Sequence, residues 1–168
     1  MLEAIIFGVV LFGMYILNGS AVIPAMTGAG AAAAFGAAAL VFAARRNFVR
    51  AKDLGAKAAV LALASGLIAG AMYLNAGKAA RGAERIAAAC EEYKAKNGTY
   101  PETISKLVPE YLASIPLART TIMWSHYRLR GERVMYVLDP WMPLAAYYDI
   151  KVKKTGFVRM AEMFPAQP

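Results

Sequence analysis

One cysteine, Cys90, and one histidine, His126, are all that 168 residues offer of the two side chains most used for disulfides, metal centres and nucleophilic relays. A single thiol excludes an intramolecular disulfide, so any folded part is held by packing. A lone histidine leaves a histidine-rich metal site or a serine–histidine triad little to work with. Charge is missing in two long stretches, from Ala4 to Ala44 and from Ala58 to Gly77. Moving an ion through lipid needs groups that replace its hydration, so a transporter working alone is not expected. Proline is absent between Pro24 and Pro101, so nothing there forces a helix to stop. A phosphate-cradling loop is missing too: Gly28-Ala-Gly30 lies within an apolar run rather than after a strand. Glu91 and Glu92 are adjacent on a helix and point apart, which excludes a paired acid and base. No catalytic residue, metal ligand or cofactor site is expected, and an enzyme is not expected.

What the chain has is apolar mass: 59% of its residues and a mean hydropathy of +0.42. These values point to a membrane protein. Three apolar runs, at about 2–17, 21–44 and 56–76, read as transmembrane helices and make residues 1–76 a membrane anchor. The first run lacks a basic leader and reads as a retained helix. Gly28, Ala32 and Gly36 recur at four-residue spacing in the second, and Ala58, Ala62, Gly66 and Gly70 in the third. Small side chains at that spacing let helix backbones approach closely, so the two rows are expected to face each other or a partner chain. Between Arg45 and Lys57 stand five bases and one acid, a net of +4. By the rule that basic loops stay inside, the N-terminus and loop 45–57 are cytoplasmic and residues 77–168 lie outside, in the periplasm of a double-membraned bacterium. From Lys78 onward, fourteen bases and nine acids are scattered, so nucleic acid is not an expected partner.

The third run continues without a break to Asn97, predicting one helix from Ala56 that is roughly 60 Å long at about 1.5 Å per residue. Beyond the membrane, Ala79, Ala83, Ile86, Cys90 and Tyr93 draw one apolar stripe on it. Asn97-Gly98 supplies the left-handed stop. Thr99 and Glu102 have the spacing of a capping box for a short helix over 102–108. From about Ile122 the apolar period changes to two. Met123–Arg130 and Arg133–Leu138 read as strands joined at Gly131-Glu132, Ala145–Val152 as a third, Lys154–Gly156 as a turn and Phe157–Met160 as a fourth. His126 reads as a half-buried strand residue. The fold class is therefore membrane α plus α+β, with the long helix covering one face of an antiparallel meander.

The stretch Ala87–Pro116, with Tyr93, Asn97, Gly98, Tyr100 and Pro101 as its most specific part, resembles the head domain of type IV pilin-like proteins, in particular the major pseudopilins of type II secretion systems. The resemblance covers the chain from Gly77 on, and Trp124, Tyr127, Tyr136 and Leu138 fall where such heads carry aromatic strands. It implies a spine helix packed on a sheet with no catalytic residues. It also implies calcium in the sheet loops, for which Asp139 and Asp149 are the candidates, both otherwise read as ordinary turn and surface aspartates. Pilins begin their one membrane helix with glycine, phenylalanine and, four residues on, glutamate. Gly55 here is followed by Ala56, and the next glutamate is Glu84. The chain thus looks like a pilin-type head on a three-helix anchor, not a processed subunit. The expected role is non-catalytic: binding other membrane or envelope proteins, a second copy among them, within a pilus or secretion assembly. The alternative is an accessory subunit of an unrelated membrane enzyme or transport complex.

Overall fold

A computed structural model describes residues 1–119, 123, 125–142 and 144–164. Contacts divide the chain into two units, Met1–Met72 and Tyr73–Pro168, with one helix belonging to both. Three long helices come first: α1 (Leu2–Asn18), α2 (Val22–Ala44) and α3 (Phe48–Asn97). Four strands follow, β1 (Arg128–Arg130), β2 (Arg133–Tyr136), β3 (Leu144–Asp149) and β4 (Lys154–Arg159), then a one-turn helix α4 (Met160–Met163). Two of the helices, α2 and α3, are long and apolar enough to cross a membrane, and α1 is a shorter apolar helix.

In the first unit, Gly19 ends α1 in the left-handed conformation at φ 73°, donating its N–H to the Tyr15 carbonyl. Only Arg45, Arg46 and Asn47 separate α2 from α3. The expected loop 45–57 is therefore mostly helix, and the third helix begins at Phe48 rather than Ala56. The reason is local. The Asn47 side chain accepts the Arg50 N–H at 3.3 Å, and Ala51, Lys52 and Leu54 are good helix formers. Helices α1 and α3 run parallel, with α2 antiparallel between them in sequence. Lys57 pairs with Glu3 at 3.7 Å and with Asp53 at 3.0 Å near one end, while Leu11, Tyr15, Ala21 and Ile68 form a buried cluster farther along.

In the second unit the strands form an antiparallel sheet in the order β1-β2-β3-β4. Its inner face, with Val134, Tyr136 and Ala146, packs on the α3 stripe of Ala79, Ala83, Ile86 and Cys90, as the helical period predicts. Burying a side chain the size of Val134 or Ile86 stabilises the fold by about 1.5–3 kcal/mol, and an alanine methyl by less. The outer face, for which the sequence pattern named no cover, carries a second small core: Met135, Val137 and Ala145 are covered by Met163 of α4.

Boundaries moved where side chains organise turns. The expected turn at Lys154–Gly156 is strand, with Gly156 paired to Tyr147 and lying under its ring. The turn falls earlier because the Asp149 carboxylate accepts the N–H groups of Lys151 and Val152 at 3.1 and 3.0 Å, and Lys153 takes φ 55°. The capping box does not form. Thr99 is exposed, a 3₁₀ turn spans only Ile104–Leu107, and Glu102 pairs with Lys106 at 2.8 Å instead. The first strand begins at Arg128, not Met123; Ile122 and Trp124 lie outside the described residues.

Candidate interaction surfaces

The small-residue rows of the first unit separate into used and unused positions. Gly28 is buried where all three helices meet. A Cβ there would strike the Ser65 hydroxyl and come within 3.1 Å of the Leu11 side chain. Gly8 makes a similar close approach, 3.3 Å from a built Cβ to the Ala64 methyl. Ala32 is half-buried, and so is Gly36, around which a built Cβ meets nothing within 4 Å. Ala62, Gly66 and Gly70 are exposed. The two rows therefore do not face each other within the chain. The face of α3 that meets α1 and α2 is Leu61, Ser65 and Ile68, one residue or two away on the helix. Ser65 fits that interior because its hydroxyl donates to the Leu61 carbonyl at 2.9 Å. A four-residue period locates a stripe but not which of two adjacent stripes is covered.

In the second unit the motif Tyr93, Asn97, Gly98, Tyr100 and Pro101 is brought together at the end of α3. Asn97 donates to the Tyr93 carbonyl at 2.9 Å and to the Tyr111 hydroxyl at 3.3 Å. Gly98, at φ 79°, donates its N–H to the Lys94 carbonyl at 2.8 Å. Tyr93 and Tyr111 meet edge to face at 5.5 Å, and the Lys94 ammonium lies 4.3 Å from the Tyr100 ring centre. Pro101 is buried. Lys96 pairs with Glu110, whose carboxylate holds the ammonium above its ordinary range. These contacts satisfy the last carbonyls of the helix and tie the following segment to it. That is a structural joint.

A contact that sequence reasoning missed lies just past the apolar stretch of α3. The Tyr127 hydroxyl donates to the Ala79 carbonyl at 2.8 Å and occupies the room left by the absent side chain of Gly82. Its ring meets Tyr136 edge to face at 5.8 Å, and burial raises the pKa of both phenols. The signal was available as a glycine on the apolar side of an otherwise alanine-rich helix.

Chemically reactive arrangements are sparse. Ser125 Oγ lies 3.0 Å from His126 Nδ1, yet the serine is buried while the imidazole is exposed, not half-buried as the strand pattern predicted. A substrate bond would have to reach a hydroxyl shielded from solvent. Cys90 is buried, which pushes its thiol up to about 11 and leaves little nucleophilic thiolate. Neither calcium candidate fits a cation. The buried Asp139 carboxylate accepts the Trp141 N–H at 3.0 Å, and Asp149 is engaged by two backbone N–H groups with Arg133 3.7 Å away. Among the described residues no three His, Cys, Asp or Glu side chains gather as a metal site. A hollow of about 430 Å³ on the outer sheet face is lined by Arg130, Arg133, Glu132, Asp149 and Glu162, charges of both signs.

Exposed apolar side chains mark the remaining surface. Trp141 is 65% exposed, and Met142 in the β2–β3 turn, Leu144 at the start of β3 and Phe157 on the edge strand β4 are exposed as well. No known protein family, curated protein or solved structure matches the chain.

Proposed function

We propose that the protein is a non-catalytic, multi-pass protein of the bacterial inner membrane whose pilin-like head, on the extracytoplasmic side, binds another envelope protein within a pilus or secretion assembly. The observation that carries this reading is α3 itself. It is one unbroken helix, uncharged and largely outward-facing from Ala58 to Gly77, and the core element of a folded α+β unit beyond. The long helix with an antiparallel meander supports the pilin-like assignment of residues 77–168, with Tyr93, Asn97, Gly98, Tyr100 and Pro101 as its joint. Helix α1, at about 1.5 Å per residue, falls a few Å short of a 30 Å core and crosses as the third span with slight local thinning. The five bases of residues 45–57 hold that end in the cytoplasm.

The test is capture of the tagged chain from solubilised membranes. A stable envelope partner that is lost when the head is deleted is expected; recovery of no partner sinks the reading.

A second reading, an accessory subunit of a membrane enzyme or transport complex, is favoured by one observation: the exposed Ala62, Gly66 and Gly70 face of α3. Small residues turned to lipid suit close approach of another helix, from a partner or a second copy. This reading fails if the chain is monomeric in mild detergent and its deletion leaves membrane complexes intact.

A further inference from the structure

The head unit has two distinguishable ends along α3. At one, Lys153 lies 3.7 Å from Glu91, and Ile150 packs in the cluster of Cys90. The turns Gly131-Glu132 and Ile150–Lys153 are at this end, since Ile150 N–H donates to the Glu132 carbonyl at 2.9 Å. At the other, Tyr127 reaches Ala79 and its ring meets Tyr136, the last residue of β2. Strand β2 thus runs toward the N-terminal end of the helix segment, and the turn after it, Asp139–Met142, continues in that direction. Farther along α3 in that direction, beyond Ala79, Tyr73 and Leu74 stand 81% and 65% exposed near the end of its apolar stretch.

This turn is built to present an apolar side chain. Asp139 is fully buried, and both its oxygens of interest are occupied: the carboxylate by the Trp141 N–H, the carbonyl by the Met142 N–H at 3.1 Å. Trp141, Met142 and Leu144 are left facing out. Exposing an indole and a thioether together in water is unfavourable, and tryptophan is the side chain most enriched at the headgroup level of bilayers. Lys78 and Arg81, exposed on α3 just past its apolar half, supply the charge that anionic headgroups attract.

We infer that the Asp139–Met142 turn is a lipid-interface anchor. Trp141 and Met142 insert at headgroup depth in the leaflet from which α3 emerges, with Lys78 and Arg81 contacting anionic phospholipid. This rests on the membrane reading above. The anchor gives the head a second attachment to the bilayer besides α3.

The experiment uses the full chain with Trp124→Phe, which leaves Trp141 as the one indole, in vesicles of phosphatidylcholine and phosphatidylglycerol with brominated acyl chains. Expected are flotation with the vesicles, blue-shifted emission, and loss of most of that emission relative to unbrominated lipid. Lys78→Gln with Arg81→Gln should weaken the quenching. A chain that floats but keeps its emission, and is quenched by acrylamide instead, overturns the anchor while leaving the membrane reading intact. A chain that does not float overturns both. Should Trp124→Phe misfold, a nitroxide on Trp141→Cys in a Cys90→Ala background reads the same depth. Relaxation by oxygen is then expected, and relaxation by an aqueous nickel reagent overturns the anchor.

Discussion

Gly82 and Gly77 stand five positions apart in α3 and call for opposite substitutions. A methyl at Gly82 collides with the Tyr127 hydroxyl and ring. Displacing that ring costs about 1–3 kcal/mol, more than the roughly 1 kcal/mol that alanine gains over glycine in a helix. At Gly77 the methyl meets only the end of the flexible Arg81 side chain, at 3.6 Å, so the propensity gain of about 0.5–1 kcal/mol survives. Thermal unfolding of the full chain in detergent should therefore fall for Gly82→Ala and rise for Gly77→Ala. Equal shifts of one sign would mean that Tyr127 does not occupy that slot. Sequence spacing marked both glycines as helical, but a residue 45 positions away decides between them.

At the scale of elements, the segment after α3 and the helix bundle each give a test. Lys106 holds the Glu102 carboxyl below its ordinary value of 4.5 through a side-chain hydrogen bond. A depressed carboxyl stabilises the fold above its unfolded value, and that contribution disappears as pH falls through the folded one. Lys106→Met should thus be less stable than the parent at neutral pH, by the small amount an exposed pair supplies. The gap should close as pH drops below 4.5. A gap independent of pH would show that the pair contributes nothing. In the bundle, Gly28→Leu forces a branched side chain into the junction of Ser65, Leu11 and Leu61, and should cost about 3 kcal/mol or more through overpacking. Gly66→Leu enters open space. It should leave the protease resistance of the chain unchanged while reducing any co-purifying partner, whereas Gly28→Leu should abolish that resistance. Equal loss in both would place Gly66 inside the bundle.

For the whole molecule, topology is the prediction on which the proposed function and the lipid anchor rest. In a Cys90→Ala background, single cysteines at the exposed positions Asn18, Arg50 and Lys153 should react differently with a membrane-impermeant maleimide on intact cells with a permeable outer membrane. Asn18→Cys and Lys153→Cys should label at once, and Arg50→Cys only after the inner membrane is opened. Labelling of Arg50→Cys with Lys153→Cys protected would invert the orientation, and labelling of all three would remove the protein from the membrane.

The sequence alone determined the elements whose signal is local. An uninterrupted run without proline implies α3, and a change of apolar period from 3.6 to 2 implies the meander with its Gly131-Glu132 hairpin. Asn97-Gly98 implies the end of the helix, because the left-handed stop depends on the residues that form it. Only tertiary structure decided which small residues meet, why Gly82 is a slot for Tyr127, where the β3–β4 turn falls, and that α4 closes the second face of the sheet. Each of these depends on the register between elements far apart in the chain. Local periodicity states which side of a helix or strand is apolar, and is silent on what arrives to cover it.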